Sequence, residues 1–187
     1  MGRWEPDAAG RLRAAALELF ADPGFDQTTV AQIAARAGVT ERTFFRHFGD
    51  KREVLFDGQN ELQSAFVDGV LEAPAGAAPL EVVRFALGRV ARFFSTERRP
   101  WSVTRRQIIE GHASLGEREQ FKMLALTAAV AGAFRDRGMP EPGATLSAQS
   151  ALGVFHVAFV MWTTPGETRD YSALVALAIN ELKLVTA

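Results

Sequence analysis

A short polar stretch, "VTERTFFRHFGDK" at residues 39–51, sets three phenylalanines among four basic side chains. Guanidinium, imidazolium and ammonium groups donate hydrogen bonds to phosphate oxygens and base edges. Residues 36–52 contain five lysines and arginines against two acids, a local formal charge of +3, whereas the whole chain carries −1. A basic patch in a weakly acidic chain is typical of a phosphate-binding surface.

Helical spacing divides the three phenylalanines between two faces. Phe44 and Phe48 are four residues apart, so they share one stripe and should anchor a short helix to its neighbours. Arg42, Phe45 and Arg46 follow at i, i+3 and i+4 on a different face. The spacing therefore predicts that Phe45 is exposed beside the two arginines.

The elements that position this helix carry clear local signals. In "TTVAQ", Thr29 is a candidate N-cap, and Gln32 three residues later closes a capping box. Gly38 supplies the left-handed residue that a tight turn after a helix requires, and Thr40 is the natural N-cap of the next helix. An apolar stripe through residues 12–20 predicts a helix before this pair, ended by "DPG".

A helix, a tight glycine turn and a second short helix together make a helix-turn-helix unit, whose second helix lies in the DNA major groove. Asp50 and Glu53 form another capping box, which predicts a fourth helix reaching about Leu71.

At this point the chain resembles a known family. "TTVAQIAARAGVTERTFFRHFGDKREVL", residues 28–55, is similar to the N-terminal domain of the TetR family of transcriptional regulators, and the resemblance covers about residues 8–56. It includes the Ala-Gly-Val turn, the Thr-aromatic-aromatic-x-His-Phe block at 43–48 and a lysine three residues after Phe48.

The resemblance implies roles for individual residues. Thr40 and Thr43 would bond to phosphate or base edges, Arg42 would contact bases or phosphate, and His47 and Lys51 would contact phosphate. Lys51 would also lie in the first turn of the fourth helix, where free N–H groups favour phosphate. Phe45 stands where the family most often has tyrosine, and Arg3 precedes the first helix as a candidate minor-groove arm. The predicted DNA-binding residues are Thr29, Thr40, Arg42, Thr43, Phe45, Arg46, His47 and Lys51.

Other interpretations of these side chains remain open at this point. Arg42 and Arg46 also fit an ordinary solvated helix face, and His47 also fits a half-buried structural histidine. Glu41 and Asp50 oppose DNA locally, so Glu41 is either an acceptor for a cytosine amino group or a capping residue.

A change of composition at "APAGAAP", residues 73–79, precedes further helical stripes. They predict helices near residues 80–94, 101–110, 117–137, 146–162 and 170–184. The predicted fold is all-α with about nine helices, comprising a helix-turn-helix domain at 1–56 and a helical effector-binding and dimerisation domain at 57–187.

The predicted eighth helix is apolar on every side, so it must be covered on every side. The simplest cover is the same pair of helices from a second chain, which would form a two-fold symmetric homodimer. This is also where the resemblance places the dimer, although burial in a monomer core is the alternative. The predicted interface residues are Leu152, Phe159, Leu174, Leu177, Ala178 and Leu182.

By resemblance, the second domain should bind a small effector. Arg89 lies between two phenylalanines on one stripe, and its charge needs an anion: either Glu110 or an acidic ligand. "TRRQIIEGHASLGERE" weakly resembles family members that respond to acyl-CoA-like ligands. The predicted effector-binding residues are Phe66, Phe85, Arg89, Phe93, Arg105, Ile109, Met123, Phe155, Phe159 and Trp162.

Composition excludes several other classes of protein. With no cysteine, disulfides, thiolate metal sites and cysteine nucleophiles are excluded, and no metal or cofactor is expected. The three histidines lie on separate elements and no catalytic motif appears, so an enzyme is not expected. The apolar run at 151–162 is shorter than a membrane span.

We therefore expect a cytoplasmic homodimer that binds a palindromic DNA operator, acts by default as a repressor, and is released by a hydrophobic or amphipathic effector. The alternatives are a DNA-binding regulator controlled by a protein partner and, less favoured, a helical enzyme.

Overall fold

The computed structural model describes residues 7–186, and within that range it has nine α-helices and no β-strand. The predicted all-α fold is confirmed. The helices are α1 (Ala8–Leu19), α2 (Val30–Arg36), α3 (Glu41–His47), α4 (Gln59–Leu71), α5 (Pro79–Val90), α6 (Arg99–Glu110), α7 (Ala113–Asp136), α8 (Gly143–Trp162) and α9 (Tyr171–Thr186).

The chain packs as two compact units. The first contains the residues up to Asp57 together with Thr104–Glu117, and the second contains Gly58–Val103 and the residues from Arg118 onward. The sequence-predicted boundary at 56/57 lies beside Asp57, but the pattern did not reveal that residues 104–117 pack with the first unit. They do so because their apolar side chains enter its core: Ile108, Ile109 and Leu115.

The turn between α2 and α3 forms as the local signals predict. The backbone N–H of Gln32 donates to Thr29 Oγ1 at 3.2 Å, and the Gln32 side chain accepts from the backbone N–H of Thr29 at 2.8 Å. Gly38 follows α2 with a φ of 69°, which only glycine adopts at little cost. Thr40 then caps α3 by accepting from the N–H of Thr43 at 3.2 Å.

The predicted fourth helix is wrong in its first two turns. Asp50 does accept from the backbone N–H groups of Arg52 and Glu53, at 2.8 and 3.1 Å. The segment that follows is a short 3-10 turn, Glu53–Phe56, and Gly58 with a φ of 91° separates this turn from α4. The α-helix therefore begins only at Gln59.

The second unit is built on close helix pairs, α4 with α5 and α8 with α9. At the first pair, a Cβ added to Gly69 would lie 2.6 Å from Ala86 Cα, so the glycine lets the two backbones approach. Near the second pair, the ring of Phe94 stacks on Tyr171 at 4.4 Å and meets Trp162 edge-on at 5.6 Å. Burial raises the pKa of Tyr171, whose hydroxyl donates to the Phe155 carbonyl at 3.1 Å.

Among the described residues, α8 is the one helix long and apolar enough to match a membrane span by composition. Nine of its twenty residues, Trp162 among them, are buried within the second unit. The other residues of α8 are partly buried or exposed.

Candidate nucleic-acid interface

The exposed face of α3 contains the side chains that the helical spacing predicted. Phe44 is fully buried and Phe48 is 5% exposed, whereas Phe45 is 55% exposed. Arg42 and Arg46 are exposed on the same side of the helix as Phe45. The predicted division of the three phenylalanines between core and surface is confirmed.

The cations of the basic patch differ in how they are paired. Arg36 forms an ion pair with Glu18 at 2.7 Å, and Arg52 pairs with Asp50 at 3.0 Å. Arg42 and Arg46 have no ion-pair partner within residues 7–186. The two guanidinium groups available for an anion are therefore the two on the exposed face of α3.

Asp50 is held ionised by its neighbours. Burial acts to raise the pKa of Asp50, but hydrogen bonds from the Arg52 side chain and from the N–H groups of Glu53 and Arg52 outweigh it and leave the pKa below its usual value. The charge of Asp50 is therefore matched by Arg52 and does not cancel that of Arg42 or Arg46.

The hydroxyl groups at the helix starts are engaged in capping. Thr40 Oγ1 lies 3.1 Å from Thr43 Oγ1, and Thr29 Oγ1 lies 3.1 Å from Gln32 Oε1. Thr29 and Thr40 are exposed and Thr43 is half-buried. Each hydroxyl retains acceptor or donor capacity, so a phosphate contact is compatible with the cap.

His47 is exposed at the end of α3, and its ring lies 6.2 Å from that of Phe48. The alternative of a half-buried histidine does not hold. Arg3, the candidate minor-groove arm, lies outside the described residues.

The predicted phosphate contact of Lys51 needs correction. Its ammonium group donates to the carbonyls of Phe25 at 2.7 Å, Thr28 at 3.0 Å and Asp26 at 3.4 Å, and it lies 4.4 Å from the centre of the Phe25 ring. An ammonium group has three N–H donors, so all of them are occupied. Lys51 also precedes α4 by eight residues, which removes the predicted contribution of that helix's first turn.

Two residues make contacts within the same unit that the sequence did not predict. Thr28, almost fully buried, donates from Oγ1 to the Gly24 carbonyl at 2.8 Å. Arg105 donates to the Leu55 carbonyl at 2.6 Å and lies over the Phe56 ring. A threonine beside a capping threonine gives no distinct signal in sequence, and the Arg105 contact joins residues fifty positions apart.

The predicted effector-binding residues separate into several locations. Arg105 and Ile109 belong to the first unit, so their assignment to an effector site in the second domain is incorrect. Phe66, Phe155 and Trp162 fill the core of the second unit, with ring contacts such as Phe66 to Phe155 at 5.5 Å. Met123 and Phe159 pack partly buried against that core, and Phe85 is 40% exposed.

Arg89 and Phe93 do line a common groove of about 790 Å³ in the second unit. Arg89 pairs with Glu72 and lies 4.0 Å from Asp68. The anion proposed for it from sequence, Glu110, instead pairs with Arg106 at 2.7 Å. Packing of α5 against α4 brings Asp68 of α4 and Glu72, the residue that follows α4, to Arg89.

The predicted dimer residues also need correction. Leu152, Leu174 and Ala178 are buried in the second unit's own core, whereas Phe159, Leu177 and Leu182 are partly buried. Because α8 is apolar all round, its sequence pattern could not show which side faces inward. The exposed apolar residues of α8 and α9 are different ones, including Leu146, Val157 and Leu184.

Comparison with known proteins agrees with this geometry. Residues 12–57 match the model of the bacterial regulatory proteins of the tetR family. The matched segment contains α2, the Gly38 turn, α3 and its exposed basic face. Residues 12–57 are therefore a helix-turn-helix domain of the tetR-family type, and the chain is similar in this part to transcriptional regulators of the TetR family.

Relatives by sequence match only part of this chain. The HTH-type transcriptional regulator TcmR of Streptomyces glaucescens is 44% identical over 79 residues, which are 40% of this chain and 35% of TcmR. An uncharacterised HTH-type regulator of Mycobacterium tuberculosis is 37% identical over 68 residues, 36% of this chain and 34% of its own length. The match thus spans about a third of these relatives.

Solved structures resemble nearly the whole chain in fold. A regulator of Pseudomonas aeruginosa PAO1 aligns with a TM-score of 0.65 and 19% identity over 98% of this chain and 92% of its own. FadR of Thermus thermophilus, a TetR-family repressor in complex with lauroyl-CoA, aligns with a TM-score of 0.55 and 22% identity over 94% and 93%. FadR of Bacillus subtilis in complex with stearoyl-CoA gives 0.60 and 17% over 92% and 96%.

Proposed function

We propose that this regulator is a cytoplasmic repressor that binds a palindromic operator as a homodimer and releases it when a small amphipathic effector binds the second unit. The observation that carries the DNA-binding part is the exposed face of α3. There Arg42 and Arg46 lack ion-pair partners within the described residues, and an aromatic ring is exposed between them.

Each side chain on that face has a distinct task. Arg42 and Arg46 bind phosphate or guanine edges, and the Phe45 ring packs against a thymine methyl group or the sugar backbone. The cap hydroxyls of Thr40 and Thr43 and the exposed ring of His47 supply flanking hydrogen bonds to phosphate. Lys51 acts beneath this face by fixing residues 25–28, which immediately precede the Thr29 cap of α2.

Homodimerisation rests on the surface of α8 and α9. Leu146 and Val157 on α8 are 61% and 48% exposed, and Leu184 on α9 is 72% exposed. Gly153 lies on the same face of α8, and a Cβ there would meet nothing within 4 Å in its own chain. A second copy of the same helix pair would cover this apolar face and would place two α3 helices in successive major grooves, about 34 Å apart.

Effector control follows from the chain's connectivity. The N-terminal part of the first unit ends at Asp57, and α4 begins two residues later. The same helix forms one wall of the 790 Å³ groove. A ligand in this groove moves α4, changes the spacing of the two α3 helices in the dimer and lowers operator affinity. The fold's resemblance to FadR structures, determined with acyl-CoA ligands, supports control by an amphipathic molecule.

The deciding experiment measures operator binding by the full chain. The operator is first selected from genomic fragments that the purified protein retains, and its affinity is then measured as a function of salt. Arg46→Ala should weaken binding and reduce the slope of log K against log salt by about 1. Arg84→Ala, an exposed arginine on α5, should leave both unchanged. If Arg46→Ala binds as the wild type does, α3 is not the reading helix.

A further inference from the structure

The groove of the second unit combines cationic, acidic and apolar side chains in a way that restricts its ligand. It is formed by α4, by the end of α5 and by the two 3-10 turns that follow α5, Ala91–Phe93 and Thr96–Arg98. Its volume of about 790 Å³ falls within the range of sites for small organic molecules.

The three arginines of the groove are not equivalent. Arg89 is already neutralised, since it pairs with Glu72 and has Asp68 nearby. Arg92 and Arg98 are exposed, and within the described part of the chain the guanidinium group of neither residue has a hydrogen-bond or ion-pair partner. They lie on successive turns of the same wall, so the groove offers two free guanidinium groups. A planar guanidinium binds a carboxylate through paired hydrogen bonds.

Acidic side chains limit how much negative charge the groove accepts. Glu61 and Asp68 of α4 also line it, and Glu72 pairs with Arg89, so the three arginines are matched by three carboxylates and the formal charge is zero. The two guanidinium groups without a partner, those of Arg92 and Arg98, can therefore bind one carboxylate, but the groove has no excess positive charge for a ligand with several negative charges. A ligand with several phosphate groups would place like charges beside Glu61 and Asp68, which is unfavourable.

An apolar surface completes the site. Phe93 is half-buried and Ala65 is buried, and both contribute to the groove's lining. Exposed polar groups come from Asn60 and Ser64 on α4. The ligand therefore needs an apolar body to cover Phe93 as well as an acidic end for the arginines.

We propose that this groove binds an amphipathic organic acid with one carboxylate, the carboxylate bound by Arg92 and Arg98 and the apolar body lying on Phe93. The regulatory consequence rests on the function proposed above, but the binding itself does not. The free acid, and not its coenzyme A ester, is the preferred form, because the ester carries several phosphate charges that Glu61 and Asp68 oppose.

The test uses decanoate as the probe and calorimetric titration of the full chain without DNA. The wild type should bind decanoate, and the double variant R92A/R98A should bind it about tenfold more weakly or not at all. The control Arg84→Ala removes an exposed arginine from the same helix as Arg89 but outside the groove, and it should bind as the wild type does. Failure of the wild type to bind, or unchanged binding by the double variant, overturns the proposal.

Two further probes of equal chain length test the charge requirement. Decylamine should not bind in the groove, and decanoyl-CoA should bind more weakly than decanoate. If decylamine binds as tightly as decanoate, the arginines do not select the ligand. If decanoyl-CoA binds more tightly than decanoate through Arg92 and Arg98, Glu61 and Asp68 do not limit the negative charge of the ligand. Either result contradicts the proposal.

A separate measurement keeps this proposal apart from the proposed function. Operator binding by R92A/R98A should equal that of the wild type without ligand, and decanoate should lower operator affinity only in the wild type. If decanoate binds through the two arginines but leaves operator affinity unchanged, the site stands and the effector mechanism fails. If Arg46→Ala retains operator binding while decanoate still binds, the assignment of α3 fails and the site again stands.

Discussion

Lys51 and Phe25, twenty-six residues apart, are joined twice: the lysine ammonium donates to the Phe25 carbonyl at 2.7 Å and lies 4.4 Å from the centre of the Phe25 ring. A further hydrogen bond joins Lys51 to the Thr28 carbonyl, so the lysine connects the segment before α2 to the turn that follows α3. The role of this lysine is therefore to hold the helix-turn-helix together, and any effect on DNA follows from that.

The first prediction concerns this contact. Lys51→Met keeps the aliphatic stem but removes three charged hydrogen bonds, and it should lower the free energy of unfolding by about 2 kcal/mol. Arg46→Met, an exposed change without an ion pair to lose, should shift it by less than about 0.5 kcal/mol. Urea denaturation of both variants measures the difference. A Lys51→Met protein with wild-type stability but lost operator affinity would support the phosphate contact predicted from sequence.

Local signals in the sequence predicted the helix-turn-helix well, because its determinants are close together in the chain. The capping box of Thr29 and Gln32, the Gly38 turn and the division of Phe44 from Phe45 all depend on spacings of four residues or fewer. Such short-range preferences survive in the folded protein when packing agrees with them.

The remaining contacts could not be predicted for equally physical reasons. Lys51 reaches carbonyl groups, which every residue possesses, and Arg105 reaches the Leu55 carbonyl across fifty residues. In α8 the apolar residues surround the whole helix, so no periodicity distinguishes buried Leu152 from exposed Val157. Only the packing of the neighbouring helices determines these choices.

The second prediction concerns Phe45, which is 55% exposed on the proposed DNA side. Phe45→Ala should lower operator affinity about tenfold, comparable with the loss of one base contact, and leave thermal stability nearly unchanged. Phe45→Tyr should hold or tighten binding, since its hydroxyl adds a donor for phosphate. Operator titrations and thermal melts measure both effects.

Phe44→Ala is the contrasting variant for the two substitutions of Phe45, because Phe44 is fully buried. Its loss should cost about 3–5 kcal/mol of stability. If Phe45→Ala destabilised the protein as strongly, Phe45 would have to be part of the core in solution, and the proposed contact face would be wrong.

The third prediction tests the proposed dimer. Val157→Arg places a charge in the centre of the exposed apolar face of α8, and burial of an unpaired charge against a second copy is strongly unfavourable. Sedimentation should show a monomer for this variant and a dimer for the wild type. Phe85→Arg introduces the same charge at an exposed apolar residue of α5 and should remain dimeric. A dimeric Val157→Arg protein would place the interface elsewhere.

The fourth prediction is a pH dependence at Asp50. Its pKa lies below the ordinary value of 3.8, so its ionised form is favoured by folding. The stabilisation is fully present above that value and is lost as the pH falls through the lower pKa of the folded state. The difference in melting temperature between the wild type and Asp50→Asn is measured from about pH 7 to about pH 3. It should stay constant at the higher pH values and shrink once the pH falls below the ordinary pKa of an aspartate.

Asp22→Asn controls for the loss of one negative charge, since Asp22 is an exposed acid of the same unit. A difference for Asp50→Asn that grows as the solution is acidified would have the wrong sign for a carboxylate stabilised by Arg52.

The fifth prediction compares two glycines of the paired helices α4 and α5. A Cβ at Gly69 would lie 2.6 Å from Ala86 Cα, a backbone atom that can move only if the helices separate, whereas a Cβ at Gly88 would meet nothing within 4 Å. Gly69→Ala should therefore destabilise the protein by about 1–3 kcal/mol through overpacking. Gly88→Ala should stabilise it by up to about 1 kcal/mol, because alanine loses less backbone entropy in a helix. Urea denaturation of the two single variants separates close packing from helix propensity, and equal effects would mean that α4 and α5 do not approach as closely in solution.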